Sequence, residues 1–463
     1  MIFHVILVYM DTKCFEKLEF NKIKEILEEF AITYLGKQKV IDLFPMNKLD
    51  DIEKAGNQTF EASNLIYRKG NAPLNEIADI SSHLQTLKSN GNLSIQQLLD
   101  LLNILAMSKN LKDYFSSTEI DMSEFSSLNS LFENLYINTG IQNELLKCII
   151  DQNTISDDAS SNLKSIRTKI KNKEQEIRNK LNGMLHQKYI QDPIITVRND
   201  RFVLPIKSEY RSDVKGFVHD ISASGSTLFI EPISVFDLNN EINSLKLDET
   251  LEIQKILEKL SNLFFDLTDE LENNINIIGT IDFIFAKAKY ANSIDGNKAI
   301  ISSKKQINLI NAWHPLLNKE SAVKNNIYLG DQFQSLIITG PNTGGKTVIL
   351  KTVGIITLMA LSGLSIPAKE GSSVFAFDNI FADIGDEQSI KDSLSTFSSH
   401  ITNIVQTLKE VTSNSLVLLD ELGSGTDPQE RFESCYKYIR RIKRNWMSLS
   451  CYYSLSRYKV FCY

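Results

Sequence analysis

A glycine-rich segment with one lysine and a terminal hydroxyl residue occupies positions 340–347. It reads GPNTGGKT and matches the pattern G-x4-G-K-[ST] in full. The backbone N–H groups of such a loop, with the N-terminus of the next helix, form a positive concavity that suits phosphate oxygens. Lys346 is expected to reach the β- and γ-phosphates of ATP, and Thr347 to place its hydroxyl on Mg²⁺. The predicted cofactor-binding residues are Gly340, Pro341, Asn342, Thr343, Gly344, Gly345, Lys346 and Thr347.

The elements around this segment decide between a phosphate site and a chance glycine-rich turn. The preceding segment SLIIT (335–339) is typical of a short apolar strand. An apolar helix is predicted from Thr347 to Leu364. Because a strand before the loop and a helix after it are the context that this motif requires, they favour the phosphate site.

Two adjacent acids follow a second apolar strand in SLVLLDE (415–421). Asp420 at the strand end can hold the metal, and Glu421 can orient or deprotonate the attacking water. Alone, two acids after an apolar strand indicate a solvated strand end. Their position downstream of the glycine-rich loop favours a site for Mg²⁺ and water, with Glu421 and Lys346 as the catalytic residues.

Length, charge and cysteine usage limit the class of protein. The chain has 463 residues, which is enough for two or three domains. Its net charge of −7 provides no overall basic field, so any contact with DNA must come from local patches. Five cysteines lack metal-ligand spacing, and a reducing cytoplasm is the simplest interpretation. The apolar residues 1–9 are too short to span a membrane, and we interpret them as an extension ahead of a start at Met10.

Hydrophobic periodicity predicts a multidomain α and α/β protein. Residues 1–150 are expected to form a helical core, and residues 151–290 two lever helices that carry a β clamp insert at about 190–232. Residues 291–430 would form an ABC-like P-loop ATPase domain, followed by an aberrant tail at 431–463. If 233–278 is one helix, it is about 70 Å long. Periodicity alone favours a plain antiparallel coiled coil over levers with a tip.

The order of several segments resembles the MutS family of ATPases. DSLSTFSSH (392–400) lies between the loop and the acids, and GSGTDPQE (423–430) follows the acids. The segment from 197 to 232 resembles the clamp of the family, and WHPLL (313–317) its HP motif, although that motif usually has Arg where Trp313 stands. The branch resembled lacks the mismatch-recognition domains and normally carries a C-terminal Smr endonuclease domain. The resemblance covers roughly residues 11–430.

This resemblance implies a homodimer with ATP and Mg²⁺ held between the subunits. Ser395 would contact the γ-phosphate from the opposite subunit. The implied partner is branched, junction or other double-stranded DNA, with roles in recombination control, or alternatively a stalled ribosome in quality control. Because basic side chains in the clamp-like segment could contact phosphates, the DNA-contact candidates are Arg198, Arg201, Lys207, Arg211 and Lys215. Ordinary surface charge is the alternative interpretation of these five residues.

The resemblance stops after Glu430, where a basic, aromatic tail begins. We interpret the tail as the product of a frameshift near residue 431, because shifted reading can encode family-like segments, GSSLAINILEEL and then VTTHYPDIK. The sheet is then expected to lack one strand, the Smr domain to be missing, and the chain to misfold or hydrolyse ATP poorly. The nucleotide sequence of the gene tests this directly.

Two other classes of protein remain as alternatives. A long-armed ATPase of the ABC or SMC-like kind would need an LSGGQ-type signature shortly before the metal-binding acid, and this chain has LSTFSSH instead. The second is a non-catalytic DNA- or ribosome-binding scaffold, or an inactive truncated product. Measurement of ATP turnover distinguishes a scaffold from an enzyme.

Overall fold

The computed structural model describes residues 12–116, 122–330, 333–340, 345–384, 406–407, 409–420 and 447–453. The predicted extension at 1–9 lies outside these residues. The helices are α1 (Thr12–Lys17), α2 (Phe20–Phe30), α3 (Tyr34–Ile41), α4 (Leu49–Lys69), α5 (Ser81–Lys88), α6 (Ile95–Phe115), α7 (Ser126–Glu133), α8 (Thr139–Cys148), α9 (Ser161–Asn182), α10 (Ile233–Asn262), α11 (Thr268–Ser293) and α12 (Lys346–Leu361). Within the described part of the chain, no helix is long and apolar enough to cross a membrane.

The strands of the described residues form four small sheets. Their bounds are β1 (Ile149–Asp151), β2 (Thr154–Ile155), β3 (Thr196–Arg198), β4 (Arg201–Lys207), β5 (Gly216–Ile221), β6 (Thr227–Pro232), β7 (Ile300–Ser302), β8 (Gln306–Ala312), β9 (Asn325–Gly330), β10 (Ser335–Gly340), β11 (Ser373–Phe375), β12 (Asn379–Asp383), β13 (Ser415–Leu419) and β14 (Met447–Tyr453). The sheet orders are β1-β2, β3-β4-β6-β5, β7-β11-β8-β9 and β10-β14-β13-β12. Helices and small sheets together confirm the mixed, multidomain character predicted from the sequence.

The chain divides into two compact units. One contains the residues up to 77, 107–135 and those from 274 onward, and the other contains 78–106 and 136–273. In the first unit, the N-terminal helices and the later sheets share one hydrophobic core. Leu18 and Leu418 illustrate this packing, because a Cβ added at Gly354 would lie 2.5 and 2.7 Å from their side chains. Residues that the sequence placed in a helical core therefore pack directly on α12 and β13.

The second unit joins a helix pair to a four-stranded sheet. Helices α9 and α10 are connected by ion pairs, including Arg167–Glu249 at 2.7 Å and Lys173–Glu241 at 2.7 Å. The turn between β3 and β4 is formed by Asn199 and Asp200, both with positive φ as a two-residue hairpin requires. Helices α9 and α10 thus lie directly before and after the four strands along the chain.

The predicted continuous helix over 233–278 is interrupted. Helix α10 ends at Asn262, and a 3-10 turn at Phe265–Leu267 separates it from α11. The interruption follows Asn262, Leu263 and Phe264, and asparagine and phenylalanine are weaker helix formers than leucine or lysine. The length of about 70 Å expected for one continuous helix is therefore not observed.

The parallel sheet contains the strand that the frameshift interpretation expected to be missing. Strand β14 lies between β10 and β13 and is parallel to both, with Leu336 opposite Leu449 and Val417 opposite Ser448. The expectation of a missing strand is therefore wrong. Main-chain pairing does not depend on side-chain identity, so a tail of different sequence can fill this position.

Candidate functional site

The carboxyl ends of parallel strands meet at one edge of the β10-β14-β13-β12 sheet. Strand β10 ends at Gly340, which leads into the glycine-rich segment, and β13 ends one residue before Asp420. Helix α12 begins at Lys346, preceded by Gly345 in the left-handed conformation with φ of 75°. This edge therefore collects the lysine, the hydroxyl and one of the two acids predicted from the sequence.

Thr347 and Asp420 are in direct contact across 73 positions of sequence. The Thr347 hydroxyl donates to Asp420 Oδ2 at 2.6 Å. The other carboxylate oxygen, Oδ1, is buried and has no hydrogen-bond partner among the described residues. The main-chain N–H of Asp420 donates to the carbonyl of Asp383 at 2.8 Å, which fixes the end of β13 against β12.

These oxygens fit a magnesium ion that is also held by phosphate and water oxygens. Mg²⁺ prefers oxygen ligands and is usually held by one or two carboxylates plus substrate phosphates and water. Thr347 and Asp420 supply such oxygens, and Oδ1 of Asp420, which no described residue satisfies, is a buried acceptor suited to a cation or its water. The described residues contain no cluster of three or more His, Cys, Asp or Glu side chains able to hold a metal. Nucleotide phosphates and water are oxygen ligands that would complete such a site.

The structure covers part of the predicted site. Lys346 is buried, 5% exposed, in the first turn of α12, and Gly340 is placed as the last residue of β10. Several predicted residues lie outside the described ones and stay predictions, namely Pro341, Asn342, Thr343, Gly344, Ser395 and Glu421.

Sequence reasoning missed the N-terminal residues at this edge. Lys17 on α1 forms an ion pair with Asp383 at 3.1 Å, and Glu19 accepts from Lys351 on α12 at 3.2 Å. Hydrogen bonds from Lys22 and Lys351 hold the pKa of Glu19 below its usual value. These pairs join positions more than 300 residues apart, so no local pattern indicates them.

The five predicted DNA contacts fall into two groups. The first group consists of three arginines that donate hydrogen bonds within their own unit. Arg198 donates to Asp220, Arg211 to the carbonyl of Val214, and Arg201 to buried Glu231 at 2.8 and 3.0 Å. Lys207 and Lys215 form no ion pair with any described residue, and Lys215 is exposed. The two lysines are therefore the better placed candidates for contact with a phosphate.

Comparison with known proteins decides the family. The profile described as MutS domain V matches residues 336–456. The protein named Endonuclease MutS2 from Clostridium perfringens (strain 13 / Type A) is 46% identical over 423 residues, covering 91% of this chain and 54% of the relative. The proteins of the same name from Alkaliphilus metalliredigens and Clostridioides difficile are each 44% identical over 425 residues, with the same coverage.

The chain belongs to the MutS family and is MutS2-like. The family match runs past residue 430, where the sequence-based resemblance ended. This MutS2-like chain spans about half the length of the curated relatives that it matches. The activity in the name of those relatives is therefore a property of the longer proteins.

Proposed function

We propose that this MutS2-like chain binds ATP and Mg²⁺ at the edge formed by β10, β13 and α12, and that it is an ATP-dependent DNA-structure-binding protein. The observation that carries this proposal is the Thr347–Asp420 contact at 2.6 Å, beside the buried Oδ1 of Asp420, for which the described part of the chain offers no hydrogen-bond partner. A hydroxyl and a carboxylate converging at the start of a helix after a G-x4-G-K-T segment are the arrangement that holds Mg²⁺ next to nucleotide phosphates.

Each residue has a definable task at this site. The ammonium of Lys346, at the N-terminus of α12, stabilises negative charge on the phosphates. Thr347 and Asp420 orient oxygen atoms toward the metal, which supplies charge neutralisation when bound. Glu421 is the proposed residue that orients the attacking water, and Ser395 the proposed γ-phosphate contact from a second copy of the chain.

The DNA-binding part of the proposal rests on the sheet at the end of α9 and α10. Lys207 and Lys215 are the proposed phosphate contacts, because their charge is not balanced by an ion pair with any described residue. Branched or junction DNA bound by a homodimer is the specific form of the proposal, and it follows from the family rather than from a contact in this chain. A ribosomal complex and an inactive scaffold are the alternatives.

Calorimetric titration with ATP and Mg²⁺ tests the nucleotide site. Lys346→Ala is expected to weaken ATP binding by about 10- to 100-fold, because a charge-assisted contact to the phosphates is lost. Lys369→Ala is the matched control, since Lys369 is an exposed lysine two residues before Gly371 and outside the proposed site. Equal ATP affinity of the wild type and Lys346→Ala would contradict the proposal.

A further inference from the structure

A three-residue segment near the start of the chain contacts both elements that carry the proposed magnesium ligands. Helix α1 ends at Lys17 and α2 begins at Phe20. We call the segment formed by Lys17, Leu18 and Glu19 the brace. Glu19 has a φ of 60°, in the left-handed region that residues with a Cβ atom rarely adopt. Such a conformation persists only where surrounding contacts fix it, so the contacts of the brace need an explanation.

The first residue of the brace is connected to the main chain of Asp420. The ammonium of Lys17 lies 3.1 Å from Oδ1 of Asp383, and the two side chains are only 29% and 10% exposed. The carbonyl oxygen of Asp383 accepts from the main-chain N–H of Asp420 at 2.8 Å. Lys17 therefore holds the residue that fixes the main chain of the proposed metal ligand.

The last residue of the brace is connected to the helix of Thr347. Glu19 accepts from the ammonium of Lys351 at 3.2 Å, and these two side chains are 26% and 27% exposed. Lys351 follows Thr347 by four positions on α12, so the two residues lie one turn apart on the same side of the helix. Glu19 also accepts from Lys22 on α2 at 2.6 Å. Helix α2 is thus attached to the first two turns of α12.

The middle residue of the brace is packed where α12 meets the parallel sheet. Leu18 is fully buried. A Cβ atom added at Gly354 of α12 would lie 2.5 Å from Leu18 and 2.7 Å from Leu418 of β13. Because these atoms leave no space for even one methyl group, the brace, the helix and the strand are held in close contact.

We propose that the brace fixes the separation between Thr347 and Asp420, and that Lys17 and Glu19 are positioning residues for the proposed magnesium site. The two ligands belong to different elements, and their oxygens approach to 2.6 Å only if α12 and the sheet keep a constant relative position. A metal site tolerates displacements of only about 0.2 Å in its ligand distances. This inference rests on the proposed function, because it explains how the same metal site is kept in shape.

Electron paramagnetic resonance of Mn²⁺ bound together with ATP tests the brace. Lys17→Met and Glu19→Gln are each expected to weaken ATP-dependent Mn²⁺ binding by about three- to tenfold. These substitutions change the local charge in opposite directions, so a purely electrostatic effect would change Mn²⁺ affinity in opposite directions. The double variant is expected to bind about as weakly as the weaker single variant, because both residues act through one element. Denaturant unfolding checks that each variant is folded under the conditions of the titration.

Two kinds of control accompany these variants. Lys17→Arg retains a cation opposite Asp383 and is expected to bind Mn²⁺ within about twofold of the wild type. Lys259→Met and Glu144→Gln are the matched substitutions, because Lys259 and Glu144 form an ion pair at 2.8 Å in the other unit. Both are expected to bind Mn²⁺ as the wild type does.

The outcomes separate the brace from the site that it would position. Wild-type Mn²⁺ affinity in both Lys17→Met and Glu19→Gln would overturn the brace and leave the metal site standing. Opposite changes in the two variants would also overturn it, since the residues would then act by charge alone. Absence of ATP-dependent Mn²⁺ binding by the wild-type chain would overturn the proposed function and the brace together.

Discussion

At the scale of single residues, Asp420 determines what the proposed site can hold. One carboxylate oxygen accepts from Thr347, and the other is buried without a partner among the described residues. A buried acceptor of this kind is costly unless a ligand satisfies it, so the site is suited to a cation or a metal-bound water rather than to an empty, dry interior.

Lys287 is a second residue whose burial has a measurable consequence. It lies on α11, is 2% exposed, and forms no ion pair with any described residue, although its ammonium is 4.8 Å from the centre of the Phe283 ring. Burial lowers its pKa to about 8. The folded state therefore releases this proton at lower pH than the unfolded state does, and stability rises with pH between about 8 and the unfolded value near 10.4.

We expect Lys287→Met to be more stable than the wild type at pH 7, by on the order of 2–3 kcal/mol, because it removes a buried charge. The difference should shrink as pH rises from 8 to 10, where wild-type Lys287 becomes neutral. Denaturant unfolding at pH 7 and pH 10 measures both effects, with the exposed Lys304→Met as control. A less stable Lys287→Met at pH 7 would show that the ammonium has a strongly favourable partner.

At the scale of elements, the clamp-like sheet depends on one buried carboxylate. Glu231 on β6 is fully buried and accepts from Arg201 on β4, from Asn239 on α10 at 2.7 Å, and it pairs with His219 on β5 at 2.6 Å. Gly216 allows the close approach of β5, because a Cβ there would lie 2.2 Å from the carbonyl oxygen of Glu231. Three strands and one helix are therefore joined at a single side chain.

Glu231→Gln is expected to destabilise this unit by about 3 kcal/mol, because Arg201 loses its buried counter-charge. Amides of β4 and β6 should then exchange with deuterium faster, since their protection depends on the stability of the unit. Glu209→Gln is the control of identical chemistry at an exposed position. Unchanged exchange in Glu231→Gln would mean that the carboxylate does not hold the sheet together.

Local signals explain which elements the sequence predicts. The Asn199-Asp200 turn, the strand at 415–419 and the helix after the glycine-rich loop each depend on neighbouring residues, and all three are confirmed. The contacts of Lys17 and Glu19 with this site depend on long-range packing, which periodicity does not encode. Strand β14 was not predicted, because a strand of family-like sequence was expected at this position in the sheet. The position requires main-chain hydrogen bonds to β10 and β13, and these do not depend on that sequence.

At the scale of the whole molecule, a net charge of −7 opposes the approach of DNA. DNA binding must then depend on a few basic side chains that are not paired with acids. Lys207 and Lys215, in the second unit, form no ion pair with any described residue. The proposed nucleotide site lies in the first unit. The proposed function therefore assigns ATP and DNA to different units of one chain.

The double variant Lys207→Glu and Lys215→Glu is expected to weaken binding of a four-way DNA junction. The slope of log affinity against log salt should fall in magnitude by about 2, or about 1 for each lost phosphate contact. Titration at several salt concentrations measures this slope, and the double variant Lys304→Glu and Lys369→Glu in the other unit controls for the change in net charge. An unchanged slope would exclude these lysines as phosphate contacts.

The most direct test of the central claim uses Mn²⁺ in place of Mg²⁺, with electron paramagnetic resonance to count the bound metal. The wild-type chain is expected to bind Mn²⁺ in the presence of ATP, and Asp420→Asn to bind it at least on the order of tenfold more weakly. Asp378→Asn is the matched control, because Asp378 also accepts from hydroxyls, those of Thr412 and Ser415, but lies at the amino end of β12. Loss of ATP-dependent Mn²⁺ in Asp420→Asn alone is the predicted result, and equal Mn²⁺ binding by all three proteins would contradict the account.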